Sequence, residues 1–474
     1  KAVAWTKDGE AVAEGRAAID LSMPKPGLVE QDVEGWWSAN VTALKAVMTE
    51  IDPARVAGLA ISNQRETVAF LDGAGKAVVP AVVWLDERAI DEVSRFSAAF
   101  GRDALHTTTG KPADITPVVY RLSWFRTHAP HVLDASQQIV DVHGFLTWRL
   151  TGTPTASWTS ADPFGVFDVT EKDWSGPILD ALGLAKTQFP RLARPGSAIG
   201  HVTASAAQQT GLPTATPVFA AGGDGQCAGI GVNAARDGVI YLNLGTAVIT
   251  GAWSADPQIG LNWRTMTSPT GDGFFLEGCQ RAGAFLINWF ADVFAGGSTQ
   301  DGIFAQLEKE ATDIPVGAEG VTVCPHLSGC MDPHWDPKAR GSISGLGPMH
   351  GRGHIYRAVM EAITLESTRT IGAMRDQGLA PQKIIAVGGG ANSQLWTRMY
   401  AAATGLPLHV RRSLEASSLG AAMSAAGGLG WVNDFDAAAT AMSGAGTALA
   451  PNPAVKSDWD EASARQFKAY RAEA

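Results

Sequence analysis

Three short apolar runs in this chain each stop on a cluster of glycines, and that pattern narrows the possible folds more than any other feature. Pro217 to Ala221 runs into Gly222-Gly223-Asp224-Gly225-Gln226, and Gly238 to Leu244 into Gly245-Thr246-Ala247. Lys383 to Val387 runs into Gly388-Gly389-Gly390-Ala391-Asn392-Ser393. Short apolar runs of this kind read as strands covered on both faces. Glycine then permits a sharp turn and leaves bare backbone for a ligand to approach. Such strands, alternating with helical patterns, predict an α/β protein whose ligands bind beyond the carboxyl ends of the strands.

The remaining segments fit that class. Ala2–Trp5 and Glu10–Ala13 flank Asp8-Gly9, a two-residue hairpin signal. Val33 to Ile51 carries Trp37, Val41, Leu44 and Val47 at helical spacing, Val56 to Ser62 reads as a buried strand, and Val68 to Gly73 opens a second hairpin. His354 to Met374 reads as a helix with Ile355, Val359, Ala362 and Ile363 on one face. The Ala-rich stretch after Gly428 reads as helical, ending in an exposed helix from Ser457. A chain of 474 residues is too long for one core. Two α/β halves with glycine turns at strand ends predict two lobes around a cleft, 1–234 and 235–474, with the boundary near Val232 to Asp237. No low-complexity linker separates them, so the lobes are expected to pack intimately.

Composition bounds the partners. Hydrophobic residues at 45% and charged residues at 18% are those of a soluble globular protein. A net charge of −10 argues against nucleic acid or an anionic membrane, both of which need a basic footprint. A nucleotide or a phosphorylated product needs only a local pocket. Cys227, Cys279, Cys324 and Cys330 form no C-x-x-C pair, so neither a zinc site nor a disulfide framework is expected. With no long apolar run and no signal-peptide pattern, the expected compartment is the cytoplasm. A homodimer is compatible with the sequence. The fifteen tryptophans are expected in cores and interfaces.

Several polar residues stand where chemistry can occur. Asp224 projects from a strand's carboxyl edge, where it can take the proton of a substrate hydroxyl attacking phosphorus. It can equally be a solvent-exposed turn residue capping the next helix. If the chain stays extended there, Gln226 faces the same side and can hold the same substrate. Gly245 and Thr246 offer amides and a hydroxyl to phosphate, and Gly388, Gly389 and Gly390 leave room for a flat base or ribose, with Asn392 as a polar contact. Arg65 and Glu66, after a buried strand, suit vicinal hydroxyls, although a surface ion pair has the same pattern. Asp86 and Arg88 can face the cleft or form a structural pair.

In chain order, Ser62-Asn63-Gln64-Arg65-Glu66-Thr67, Trp84-Leu85-Asp86-Glu87-Arg88, Gly222 to Gln226, Leu244 to Ala247, Pro333 to Gly341 and Val387 to Ser393 resemble the FGGY carbohydrate kinases. Gly341 to Leu346, followed by the helix from His354 through Glu361, resembles that family's C-terminal signature. The resemblance spans essentially the whole chain. It implies the two-lobed actin-like ATPase (ribonuclease H-like) fold, with an interdomain cleft where sugar meets ATP and Mg2+. It also implies transfer of the γ-phosphoryl group to a hydroxyl, usually a terminal one. By position, Asp224 is similar to the family's general base, and Gly245 and Thr246 to its second phosphate loop. Gly388, Gly389, Gly390 and Asn392 are similar to adenosine contacts, and Arg65 and Glu66 to substrate ligands.

Four departures accompany the resemblance. Family members open with an Asp-x-Gly-Thr phosphate loop, and Lys1-Ala2-Val3 reads as the segment just after it. Gly329-Cys330-Met331 stands where many pentose kinases carry Gly-Glu-Arg. Gly225 separates Asp224 from Gln226, which glycerol kinases have adjacent. Arg121 replaces the usual lysine of the first signature.

The expected mechanism binds sugar through Arg65, Glu66 and Asp224, then MgATP across the second lobe, with closure excluding water. The Arg-Glu pair and the Pro333 to Gly341 string point to glycerol kinases. The triple glycine, and Leu28-Val29-Glu30-Gln31-Asp32 leading to Trp36-Trp37, point to xylulose kinases. The reading favours a ketopentose such as xylulose, with glycerol or a four- or five-carbon polyol as the alternative. Outside kinases, a non-catalytic actin-like ATP-binding scaffold needs neither Asp224 nor the Arg-Glu pair. A dinucleotide-dependent dehydrogenase is opposed by the spacing of Gly225, Gly229 and Gly231, which is not G-x-G-x-x-G.

Overall fold

A seven-stranded sheet in the second half of the chain sets the frame for everything that follows. The computed structural model describes residues 1–336, 338–411, 415–431, 442 and 447–473. In spatial order the strands are Arg264–Thr267, Phe274–Gln280, Val248–Ser254, Val239–Leu244, Lys383–Val387, Leu408–Val410 and Thr447–Leu449. The first four are antiparallel to one another, Val239–Leu244, Lys383–Val387 and Leu408–Val410 are mutually parallel, and Thr447–Leu449 is antiparallel to Leu408–Val410. Asn243 lies opposite Val387, so the turns at Gly245 and Gly388 leave the same edge of the sheet. The helices Ala284–Phe294 and Arg352–Asp376 cover the sheet, burying Leu286, Phe290, Val359, Ile363 and Ile371 in one core.

The first half carries smaller sheets. Leu59–Asn63 pairs in parallel with Pro217–Gly223, which pairs antiparallel with Ala198–His201. A second sheet holds Glu30–Gln31, Ala77–Val82, Val68–Leu71 and Gln138–Val140 in that order. The helix Val33–Glu50 starts at Asp32, whose carboxylate accepts from the Glu34 N–H, and packs Trp36, Trp37 and Leu44 against Ile61, Val218 and Ala220. A helical layer including Ile90–Phe100 and Val118–His128 closes around Phe70, Phe96 and Phe125.

Between the halves, the helix Asp224–Gly231 crosses the helix Ala416–Gly428 in backbone contact. A Cβ on Gly231 would lie 2.0 Å from the Ala416 carbonyl oxygen, and one on Gly420 would lie 1.8 Å from that of Cys227. Only glycine fits this crossing. The halves therefore pack intimately, as expected from the lack of a linker.

Most expected elements form where the periodicity places them. The helix expected over Val33 to Ile51 is Val33–Glu50, and that over His354 to Met374 is Arg352–Asp376. The strand expected from Val56 begins at Leu59 instead. Asp52 caps a tight turn over Pro53–Arg55, and the Val56 N–H is drawn back to the Pro53 carbonyl, 3.0 Å away. The first hairpin closes over a longer loop than two residues, because the Thr6 hydroxyl accepts from the Asp8 and Glu10 N–H groups. Pro337 in the Pro333 to Gly341 string, and most of the Ala-rich segment after Gly428, lie outside the described residues. The terminal helix is Lys456–Glu473. The four cysteines are buried thiols. Trp36, Trp37, Trp174, Trp263, Trp396 and Trp459 lie in cores, as expected. No helix among the described residues is long and apolar enough to cross a membrane.

Candidate active site

Strand register brings the first two candidate residues together. Asn63 lies opposite Gly223, so Arg65 and Asp224 leave the same sheet edge, with Arg65 Nε 3.6 Å from Asp224 Oδ1. The second half answers with Glu277, which accepts from Arg65 Nη1 at 2.9 Å and Nη2 at 3.1 Å. This two-pronged geometry is the strongest that arginine makes with a carboxylate. Arg264 stands directly across from Glu277 on the adjacent strand and donates to it, and also to Glu66 Oε1 at 2.9 Å. Glu66, Arg264, Glu277, Arg65 and Asp224 thus form one chain of alternating charge spanning the cleft.

Burial separates their roles. The side chains of Arg65, Glu66, Arg264 and Glu277 are all at most 9% exposed, whereas that of Asp224 is 55% exposed. Burial works against the Glu277 carboxylate, but the two guanidiniums outweigh it and hold its pKa down to about 2. For Glu66, burial wins over Arg65 and Arg264, and its pKa is raised. Asp224 sits on the cleft floor, open to solvent on one side but ringed by protein. That desolvation raises its pKa, against the pull of Arg65 and of the Gly225 N–H at 2.8 Å. A carboxylate moved upward in this way is a better proton acceptor for a hydroxyl.

Glu66 has a left-handed backbone, φ +50°, a conformation that costs a non-glycine residue about 1–3 kcal/mol. Arg121 holds it there. Its guanidinium donates to the carbonyls of Glu66 at 3.1 Å, Thr116 at 2.9 Å and Trp84 at 2.9 Å, fixing three loops at once. A second bridge crosses the cleft nearby. Lys111 Nζ donates to the Thr265 carbonyl at 2.6 Å and lies 3.9 Å from Asp162, whose other oxygen accepts from the Thr267 hydroxyl. Burial lowers the Lys111 pKa to about 8.

Gln226 does not take the expected position. The chain turns helical at Asp224 rather than staying extended, and this puts Gln226 in the wall behind Arg65. It is fully buried, accepting from Arg65 Nη1 at 3.3 Å and donating to the Thr159 carbonyl at 3.3 Å. It supports Arg65 instead of sharing the open floor with Asp224. Asp86 and Arg88 form a structural pair. Arg88 donates to both oxygens of Asp86 and to Glu30, while Asp86 also accepts from the Val29 N–H.

The remaining candidates line the edge of the large sheet. Gly245 and Thr246 form the turn between two strands, and their carbonyls accept from the N–H groups of Ala284 and Gly283 at 2.8 and 3.1 Å. Gly388 has φ +89°, and a Cβ there would strike the Asn243 side chain and the Leu244 carbonyl, so the two turns touch. A Cβ on Gly389 would meet nothing within 4 Å, which leaves bare backbone beside open space. Asn392 ends the short turn Gly389–Asn392 and is exposed.

Arg264 and Glu277 were not found from the sequence. Their signal was a charge in the apolar run Phe274-Phe275-Leu276-Glu277-Gly278, which must be paired when buried. Its main partner, Arg65, is 212 residues away, beyond the reach of any local pattern.

Comparison with known proteins places this architecture. The N-terminal domain of the FGGY family of carbohydrate kinases matches residues 1–231, and the C-terminal domain of that family matches residues 240–429. The chain is 26% identical to a xylulose kinase of Bacillus subtilis over 440 residues, 92% of this chain and 87% of that protein. The crystal structure of xylulose kinase from Rhodospirillum rubrum superposes with a TM-score of 0.90 at 27% identity, covering 96% of this chain and 92% of that one. That of gluconate kinase from Lactobacillus acidophilus gives 0.94 at 23% identity, covering 99% and 95%, a likeness of fold. The two halves are thus the two lobes of the actin-like ATPase arrangement, and the chain belongs to the FGGY family of carbohydrate kinases and is a sugar kinase.

Proposed function

We propose that this kinase phosphorylates a terminal hydroxyl of a ketopentose such as xylulose, with Asp224 as general base. The observation that carries the base assignment is exposure. Of the five charged side chains in the network, Asp224 is the most exposed, at 55% against 9% or less for the others. It would take the hydroxyl proton as the oxygen attacks the γ-phosphorus of ATP; the new O–P bond forms as the bond to the bridging oxygen breaks and ADP leaves. Arg65 and Glu66, oriented by Glu277, Gln226 and Arg264, would hold the sugar hydroxyls. Gly245 and Thr246 would meet the phosphates, and Gly388, Gly389, Gly390 and Asn392 the adenosine. Mg2+ keeps several of its waters, so it would come with the nucleotide and neutralise phosphate charge, facing Asp224 through water and leaving that carboxylate free to accept the proton.

A neutral substrate is supported by the site's own charge. Three carboxylates face two guanidiniums, so a substrate carboxylate would meet net repulsion. A ketopentose is supported by the xylulose kinases among the relatives. Glycerol or a small polyol is the second reading, on the strength of Arg65-Glu66. A coupled ADP-release assay with xylulose, ribulose, glycerol, erythritol and the pentitols tests the choice. Xylulose is expected to exceed the others in kcat/KM by about tenfold or more, equivalent to about 1.4 kcal/mol of discrimination. A preference for glycerol or a polyol would overturn the ketopentose reading.

The nucleotide assignment has its own test. Gly389→Leu puts a side chain into open space, so folding is expected to be unchanged while the KM for ATP rises by about tenfold or more. The KM for sugar should stay constant. An unaltered KM for ATP would remove Gly389 from the nucleotide site.

A further inference from the structure

A histidine and carboxylate cluster lies in the second lobe, apart from the charged network of the cleft. His326 follows the strand Thr322–Cys324, His334 lies in the loop beyond it, and Glu366 projects from the middle of the helix Arg352–Asp376. One ring nitrogen of each histidine and one carboxylate oxygen all lie within 4.8 Å of one another. His326 is 6% and Glu366 5% exposed. Glu366 divides its two oxygens. Oε1 is held by Arg369, while Oε2 is buried with no hydrogen-bond partner among the described residues. A buried carboxylate oxygen in that condition costs about 1–3 kcal/mol or more unless something meets it. Beside it is a small cavity of about 10 Å³, lined by His326, Glu366, Cys330 and Met331 among others, with room for a single ion or water.

We propose that His326, His334 and Glu366 bind a transition-metal ion of the zinc class, through two imidazole nitrogens and one carboxylate oxygen. Two histidines and a glutamate are a recurrent donor set for such ions, and they leave a coordination position open. Zinc bond lengths of about 2.0–2.1 Å require the donor atoms to close to roughly 3.4 Å apart, a movement within side-chain rotation. The surroundings supply the outer shell that such sites use. Arg369 fixes the second oxygen of Glu366, and the His334 ring stacks on Tyr470 at 4.0 Å, with His326 edge-on to the same ring at 5.4 Å. Arg281 also lines the cavity, so a cation there depends on its bonds to the three donors and not on the local field.

The ion would join three parts of the lobe: the loop after Cys324, the long helix and, through Tyr470, the terminal helix. That loop reaches the active-site strand, because Asp332 accepts from the Cys279 N–H and from the Thr370 hydroxyl. Cys279 is two residues from Glu277 on the same strand. The site is thus a structural clamp beside the catalytic cleft.

The test uses the full chain, stripped with a chelator and then titrated with Zn2+ by calorimetry and with Co2+ by visible absorption, both in excess Mg2+. One equivalent should bind, Co2+ should show nitrogen-ligated absorption bands, and the thermal midpoint should rise. His326→Gln and Glu366→Gln should each weaken binding by at least about tenfold, with circular dichroism and ADP-release turnover reporting that the fold persists. No saturable Zn2+ binding to the wild type, or wild-type affinity retained in both variants, would overturn the proposal.

Discussion

Asp224→Asn is expected to lower kcat by about a thousandfold while leaving the protein folded. The side chain is open to the cleft and receives only the Gly225 N–H and the 3.6 Å approach of Arg65, so an amide of equal size disturbs little packing. What the amide lacks is the capacity to accept a proton as the sugar oxygen attacks phosphorus. The KM for ATP should move by less than a few-fold, since the nucleotide is assigned to the glycine turns of the other sheet edge. The ADP-release assay on purified variant, with circular dichroism alongside, decides the matter. Turnover within tenfold of the wild type would remove Asp224 from the role of base and leave it as a positioning group.

Glu277→Gln is expected to cost more stability than any other single change in the cleft. Removing one member of a buried ion network leaves the others uncompensated, at about 3–5 kcal/mol. Both Arg65 and Arg264 lose their shared partner, and Arg65 loses its orientation toward Asp224, so kcat/KM should fall as well. The acid behaviour provides an independent check. The folded-state pKa of Glu277, about 2, lies below its ordinary 4.5, so its stabilisation is complete above pH 4.5 and is lost as pH falls toward 2. The shift corresponds to about 3 kcal/mol. The gap in unfolding free energy between wild type and Glu277→Gln should therefore be widest above pH 4.5 and shrink on acidification. A gap independent of pH would mean that Glu277 acts through packing and not through charge.

Much of the cleft was legible before any coordinates. Glycine-ended strands located Asp224, Gly245 and Gly388 because each is dictated by local backbone chemistry: a strand, its end and a turn that only glycine tolerates. Helix periodicity gave Val33–Glu50 and Arg352–Asp376 to within two residues at each end. Gln226 was misplaced because the conclusion depended on whether the chain remained extended for two more residues. The hydrogen-bonding needs of the next helix settled that, and no side-chain pattern in the segment records it. Arg264 and Glu277 were invisible for another reason. A buried charge announces that it has a partner without saying which one, and cross-lobe pairing is fixed by tertiary packing. The histidine cluster leaves no local pattern either, since its three donors come from separate elements.

The crossing of Asp224–Gly231 with Ala416–Gly428 has a mechanical consequence. Helices that interlock ridge into groove resist sliding, because each side-chain row must climb out of its slot. Here the surfaces meet as bare backbone at Gly231 and Gly420, so the joint has no teeth at those points. A small shift of one helix on the other would meet no side-chain row at these two points, and the Ser417 hydroxyl, which donates to the Asp224 carbonyl at 2.9 Å, would be the contact that limits it. Asp224, the proposed proton acceptor, is the first residue of one of these helices, so a shift of one lobe at this joint would carry it along.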